Sequence, residues 1–477
     1  MVRGQTIIFF LIAITLLMGP SVPFSILGGN WNIMHATEAT SLVNSNNTNT
    51  TRGASNSLRG TANSDGFHIL PDATPPTISD GSLRAEKVIS GLHTPTSMEF
   101  LDSDDVIILE KDGAVRLVSN GVLQPNPILN VVVRNESERG LLGIAIANVT
   151  GSTTTKAVFI YCTQPDGEGA KNRIYRYEWD GSGTLKNPRL LLDLPGVPGP
   201  NHDGGKMELG PDGMLYAVKG DLNRRGMLQN NKAGSPPDDT SVLLRVKPLD
   251  GSPANGNPFL NTSGINSSYP NLSKYYAYGI RNSFGFDFDP LTGTIWDVED
   301  GPTAYDEMNV VKPGFNSGWS RIMGPAARDF IHGKSTNDLV QFPGSYYADP
   351  VFSWRESVGI TDMEFLGSTK LGGKYAYNIF VGDVNNGNLY FFKVNSDRTG
   401  LDLGSSPGLQ DLVGDSPEEL KAVTLGTGFN QGITDIETGP DGYLYVLTFG
   451  GDLYRIVPAT TATATATPTT PTATAES

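Results

Sequence analysis

The segment NHDGGKMELGPDGMLYAVKGD, residues 201–221, carries one of the chain's five histidines. Apolar alternation on either side of Pro-Asp-Gly predicts a hairpin, which would set His202 at the start of one strand beside Asp221 at the end of its partner. A carboxylate against an imidazole fixes its tautomer and favours the protonated form, as a general base requires. The same pair could be a hairpin-end hydrogen bond with no chemistry. Arg281, in YGIRNSFGF, is a cation at a predicted strand start. It could polarise a substrate oxygen or hold an anion, or simply form a surface ion pair; Asn282 beside it suits a turn. Asp300, Asp306 and Glu307, with the Gly301-Pro302 turn, offer hard oxygen ligands that suit Ca²⁺. Their spacing is not that of an EF-hand, and a solvated acidic loop has the same composition.

These residues sit at the ends of a recurring unit. PTSMEFLDSDDVIILEKDGAVRLV, GKMELGPDGMLYAVKGD, FGFDFDPLTGTIWDVEDG, TDMEFLGSTKLGGKYAYNIFVGDVNNGNLYFFKV and TDIETGPDGYLYVLTFGGDLYRIV share one grammar. Each has an alternating strand, a turn with Gly or Asp-Gly, and a second strand rich in Leu, Tyr, Val or Phe. GLLGIAIANVTGSTTTKAVFIYCTQPDGEGAKNRIYRYEW is a sixth, looser copy. Copies of about 60 residues accommodate four strands plus loops. The expected fold is all-β, a six-bladed β-propeller over residues 86–457; two stacked β-sandwiches would not explain the recurrence. Residues 222–240 and 321–345 are long inserts expected on the rims.

The ends of the chain differ from this body. An Arg followed by an apolar run in MVRGQTIIFFLIAITLLMG is too short to span a bilayer and fits a secretory signal, residues 1–25, with an uncleaved anchor as the alternative. Residues 26–85 are expected to form a low-complexity tether, and residues 458–477 a Thr/Ala/Pro-rich unfolded tail. Sequons at Asn46, Asn49, Asn135, Asn148, Asn261, Asn266 and Asn271 suit an exported, glycosylated surface. A net charge of −15 argues against a nucleic-acid partner, which needs clustered cations. Cys162, the single cysteine, lies in VFIYCTQ and reads as an inert core thiol.

ERGLLGIA, the 201–221 segment, YGIRNSFGFDFDPLTGTIWDVEDGP, YDEMNVVKPGFNSGW and DIETGPDGYLYVLT occur together and in order. The set resembles the soluble glucose/sorbosone (aldose sugar) dehydrogenases, PQQ-dependent six-bladed propellers, over essentially residues 86–457. The resemblance implies that His202 takes the C1 hydroxyl proton of a sugar as hydride passes to PQQ, and that Asp221 supports it. Arg281 would then lie against the quinone and substrate, main-chain oxygens of Gly301 and Pro302 would help to hold Ca²⁺, and Glu138, Asn282, Asp300 and Trp354 would lie near the cofactor. An external electron acceptor is the remaining implied partner. The chain departs from the pattern where the family meets the three PQQ carboxylates with basic residues. It has Asn385 and Asn386 in GDVNNGN, and Gly432 and Thr434 in GITDIETGPDG. Glu138 replaces a common Gln, and Asp300 a common Gln or His. Each lost charge-assisted contact is worth roughly 1.5–3 kcal/mol. The expectation is therefore an exported PQQ/Ca²⁺ sugar dehydrogenase, or a secreted propeller that binds carbohydrate or a protein without redox chemistry. Lys219, Arg245 and Arg321 are the cations nearest in sequence that could make up the deficit.

Overall fold

The computed structural model describes residues 74–459, apart from 150, 153–154, 262–264, 329–334 and 405. The expected signal segment, most of the tether and nearly all of the C-terminal tail lie outside the described residues. Within them, six sheets follow one another along the chain, antiparallel except where Val413–Gly414 pairs parallel with Phe352–Glu356. We number the blades by chain order. Blade 1 begins with Pro95–Phe100, blade 2 with Leu141–Asn148, blade 3 with Met207–Leu209, blade 4 with Gly285–Phe288, blade 5 with Ile360–Phe365 and blade 6 with Ile433–Thr438.

The six sheets form a closed ring because every neighbouring pair shares an apolar core. Phe159 and Tyr161 of blade 2 pack on Met207 and Leu244 of blade 3, and Val218 of blade 3 packs with Phe286 of blade 4. Trp296 and Trp354 join blade 4 to Met363 and Phe392 of blade 5. Equivalent clusters link blades 5 and 6, 6 and 1, and 1 and 2. Cys162 is fully buried in the last of these, and burial pushes its thiol up to about 12, as an inert core position requires. The ring is latched by hydrogen bonding between distant parts of the chain. Leu83–Ile89 pairs antiparallel with Leu453–Pro458 to complete blade 6, and Thr77–Ile78 adds to the outer edge of blade 5. The expected 85/86 boundary thus falls inside a strand.

The recurring motifs have local reasons. In blade 3 the turn Asp212 accepts from the Met214 amide at 3.0 Å and the Tyr216 hydroxyl at 3.0 Å, and Arg245 of the next strand pairs with it at 2.6 Å. Asp441, Tyr443, Tyr445 and Arg455 repeat the same device in blade 6. Acidic residues of several inner strands have another task. Inner strands leave N–H groups unpaired on the propeller axis, and carboxylates of the preceding blade accept from them. Asp287 takes Phe365 N at 2.8 Å, Glu364 takes Thr438 N at 3.0 Å, Asp362 takes Ile436 N at 2.8 Å and Asp435 takes Met98 N at 2.6 Å. Lys206, buried among them, lies 3.2 Å from both Asp362 and Asp435 and 3.4 Å from Glu208 and Glu437.

Candidate active site

The predicted hairpin forms as expected. Met207–Leu209 pairs with Leu215–Lys219, and the ladder continues to Gly205, whose N–H donates to Val218 O at 3.1 Å. This carries His202 alongside the Gly220-Asp221 step. His202 adopts φ 64°, in the left-handed region that costs a non-glycine residue energy. Its N–H donates to Glu138 Oε2 at 2.6 Å, and its carbonyl accepts from Leu222 N at 3.3 Å. Gly220 has to be glycine: a Cβ there would lie 2.4 Å from the His202 carbonyl oxygen.

Asp221 is 3% exposed and meets three donors. Its Oδ1 stands 2.6 Å from His202 Nδ1 and 2.7 Å from Asn223 N, and its Oδ2 accepts from Trp319 Nε1 at 2.7 Å. A carboxylate so placed accepts from His202 Nδ1–H, which leaves Nε2 as the free lone pair of the imidazole. Asp221 N is itself held by Arg281 O at 2.9 Å, so blade 4's entry loop is pinned to the base.

Arg281 and Asn282 enter blade 4 just ahead of Gly285–Phe288. The Arg281 guanidinium lies 5.5 Å from the Trp319 ring centre and donates from Nη1 to Asp300 O at 2.7 Å, while its buried Nε has no hydrogen-bond partner. Asn282 donates to Glu138 Oε2 at 3.0 Å and accepts from Gly204 N at 3.2 Å. Glu138 therefore ties the loops before blades 2, 3 and 4 together. Asp300 has a buried, unpartnered Oδ1, and burial together with the charges of Asp306 and Glu138 raises its carboxyl well above the usual carboxylate range. Asp306 is fully engaged: it accepts from Gly301 N, Ser357 Oγ, Val358 N and Gly359 N at 2.7–2.9 Å. Glu307 accepts from Gly324 N and is buried, so neither carboxylate belongs to a solvated loop.

A cleft of about 520 Å³ opens over this set, lined by His202, Asp221, Arg281, Pro302 and Trp319, and by three further arginines, Arg224, Arg225 and Arg321. Sequence reasoning missed Asn223, Arg224, Arg225 and Trp319. The Arg-Arg doublet inside a predicted rim insert was the available signal for two of them. Of the three candidate cations, only Arg321 reaches the cleft. Arg245 is occupied by Asp212 in the blade 3 turn, and Lys219 is fully buried beneath the site, 3.9 Å from Asp203, where burial lowers it to about 8.

Two expectations need correction. Trp354 is a core residue, 0% exposed, with its ring centre 4.9 Å from Phe352 and 5.6 Å from Tyr390. Alternation along its strand turns it with Phe352 into the blade 4–5 interface, and Trp319 is the indole of the cleft. The neutral positions do not line the cleft either. Asn385 and Asn386 face a second cavity of about 270 Å³ with Ser357 and Asp415. Thr434 Oγ1 donates to Leu447 O at 3.4 Å, and Gly432 can bear no side chain, since a Cβ would lie 2.1 Å from Val384 O.

The glucose/sorbosone dehydrogenase family model matches residues 92–455. The chain belongs to the glucose/sorbosone dehydrogenase family. Membership makes it an oxidoreductase of the class that acts on the CH–OH group of sugars. It is similar to the aldose sugar dehydrogenase YliI of Escherichia coli K12, 25% identical over 79% of this chain and 93% of that one. Among solved structures it is similar to an oxidoreductase described as a glucose dehydrogenase from Thermus thermophilus. That pair is 26% identical, covering 79% of this chain and all of that one, with a TM-score of 0.60. The PQQ-bound aldose sugar dehydrogenase of Streptomyces coelicolor shares the fold at a TM-score of 0.58 and 22% identity, over 80% of this chain and 99% of that one.

The residues present fit both groups that this family membership brings into view. A cleft with four arginines, one of them holding a buried unpartnered Nε, suits an anionic quinone. The orphaned Asp300 Oδ1 beside Gly301 and Pro302 suits a hard divalent cation. Among the described residues no three His, Cys, Asp or Glu side chains form a metal cage, so main-chain oxygens would have to supply ligands.

Proposed function

We propose that the protein is an exported sugar dehydrogenase that oxidises the C1 hydroxyl of an aldose to a lactone, with PQQ and Ca²⁺ as its cofactors. The single observation that carries the chemistry is the 2.6 Å contact between His202 Nδ1 and Asp221, which leaves Nε2 free in a cationic cleft. When bound, PQQ with Ca²⁺ supplies a two-electron, hydride-accepting quinone. His202 Nε2 accepts the hydroxyl proton, and Asp221 stabilises the imidazolium that results. Trp319 and Asn223 hold Asp221 in place, while Glu138 holds the strained backbone of His202. Arg281 is fixed by Asp300 O on one side and the Trp319 ring on the other, and orients oxygens of the bound groups. Asp300, Gly301 and Pro302 would hold the cation, and Arg281, through its unpartnered Nε, an anionic group of the quinone.

Loading purified protein with PQQ and Ca²⁺ and following dye reduction by aldoses tests this. Turnover that His202→Ala abolishes is expected. A loaded protein that shows no activity and retains no PQQ absorbance would refute it. The alternative reading, a secreted propeller that binds carbohydrate without redox chemistry, loses the support of Asn385, Asn386, Gly432 and Thr434, which do not line the cleft. Sugar binding that survives His202→Ala in protein unable to retain PQQ would select it. Export rests on the N-terminal apolar run and the sequons, and N-terminal sequencing of the secreted protein tests it.

A further inference from the structure

The proposed chemistry leaves one side of the cleft without a task. Arg224 and Arg225 come from the blade 3 insert and Arg321 from the loop after Trp319, and all three face the same space as His202. Their engagement with the protein is partial. Arg224 pairs with Asp238, Arg321 donates only Nε, to Asn230 O at 2.8 Å, and the exposed Arg225 has no hydrogen bond or ion pair among the described residues. The one acidic residue lining the cleft is Asp221, and its oxygens are taken by His202, Asn223 and Trp319. Apart from the Arg224–Asp238 pair, this cationic wall has no acidic counter-charge within the cleft, and on a protein of net charge −15 it marks a place where an anion is expected from outside. Arg281 is partly buried against Asp300 and Trp319, whereas Arg225 is exposed to solvent.

We propose that this arginine wall, Arg225 and Arg321 above all, is a carboxylate subsite for the substrate, and that the preferred substrate class is acidic sugars of the uronic-acid kind. With the C1 hydroxyl at His202 Nε2, the carboxylate at the far end of the sugar meets the planar guanidinium donors, which match a carboxylate in a forked pair. The assignment rests on the proposed dehydrogenase reaction only for the position of C1; anion recognition by the wall does not depend on it. A carboxylate of the quinone cofactor is the other source of the same chemistry.

The test is equilibrium binding of glucuronate and of glucose to protein loaded with PQQ and Ca²⁺, followed by the fluorescence of the cleft tryptophan, with kcat and KM measured alongside. Arg225→Gln and Arg321→Gln are compared with the parent protein, and their melting temperatures verify folding. The expected result is a preference for glucuronate of about 10-fold or more, the size of one charge-assisted contact. It should shrink by about 10-fold in either variant and weaken with added salt. Equal affinity for the two sugars, or a preference that both substitutions leave intact, would overturn the assignment. Loss of PQQ absorbance in the variants with the sugar preference unchanged would also overturn it, and would give the wall to the cofactor. Preferential glucuronate binding without turnover leaves the subsite standing and removes the dehydrogenase reading instead.

Discussion

Asp221→Asn tests the centre of the site with a change of one atom. Asp221 receives three N–H groups on two oxygens: His202 Nδ1–H, Asn223 N–H and Trp319 Nε1–H, at 2.6, 2.7 and 2.7 Å. Asparagine has one oxygen and an NH₂ group, so its NH₂ must face a donor. If it faces Trp319, the His202 contact survives but loses its charge, worth about 1.5–3 kcal/mol. If it faces His202, Nδ1 must accept, Nε2 carries the hydrogen, and no lone pair is left for the substrate. At about 1.4 kcal/mol per decade, the first outcome predicts a fall in kcat of roughly 10- to 100-fold and the second up to about 10⁴-fold. Dye reduction under saturating PQQ, Ca²⁺ and sugar measures it, with retained PQQ absorbance and melting temperature as controls for folding. A kcat within about 3-fold of the parent, in folded and loaded protein, would refute the assignment of His202 as a base supported by Asp221.

Gly220→Ala should displace His202, because the new Cβ would meet its carbonyl oxygen at 2.4 Å and Asn282 Oδ1 at 2.9 Å. A cost of about 1–3 kcal/mol is expected by chemical denaturation, with activity lost at least in proportion. Lys206→Met strands Asp362, Asp435, Glu208 and Glu437 around the axis without their cation. The expected loss is about 3–5 kcal/mol in urea unfolding, and a change below about 1 kcal/mol would show that the carboxylates do not depend on it. Burial, reinforced by the nearby Asp435 charge and opposed by Lys206, raises the Glu99 carboxyl to about 7. The folded state therefore holds a proton that the unfolded chain has released above about 4.5, so this group's stabilising contribution is full at low pH and fades as pH rises from about 4.5 to 7. Urea midpoints of parent and Glu99→Gln across that window should differ in slope, the variant falling less steeply.

The fold was legible because it is written as repetition. Alternation and Asp-Gly turns recur in each unit, and a unit that cannot bury both faces alone must stack on its neighbours. Even so, the task of Asp287 and Glu364, accepting from an unpaired amide of the next blade, exists only once two blades meet. The His202–Asp221 pair was legible for a local reason: a tight hairpin fixes which residues stand side by side. Trp354 shows the limit of motif placement, since strand parity and the neighbouring blade decide that it is core.

By itself, the sequence determined the blade unit, the hairpin that joins His202 to Asp221, and the glycine that lets their backbones approach. All three are contacts between residues near in the chain. The charge balance of the cleft was decided by tertiary structure alone. The deficit read at Asn385, Asn386, Gly432 and Thr434 concerns positions that do not line the cleft, one of them too crowded for any side chain. Three of its four cations come from a rim insert and from the loop after Trp319, residues nearly 100 apart that meet because blades 3 and 4 pack side by side.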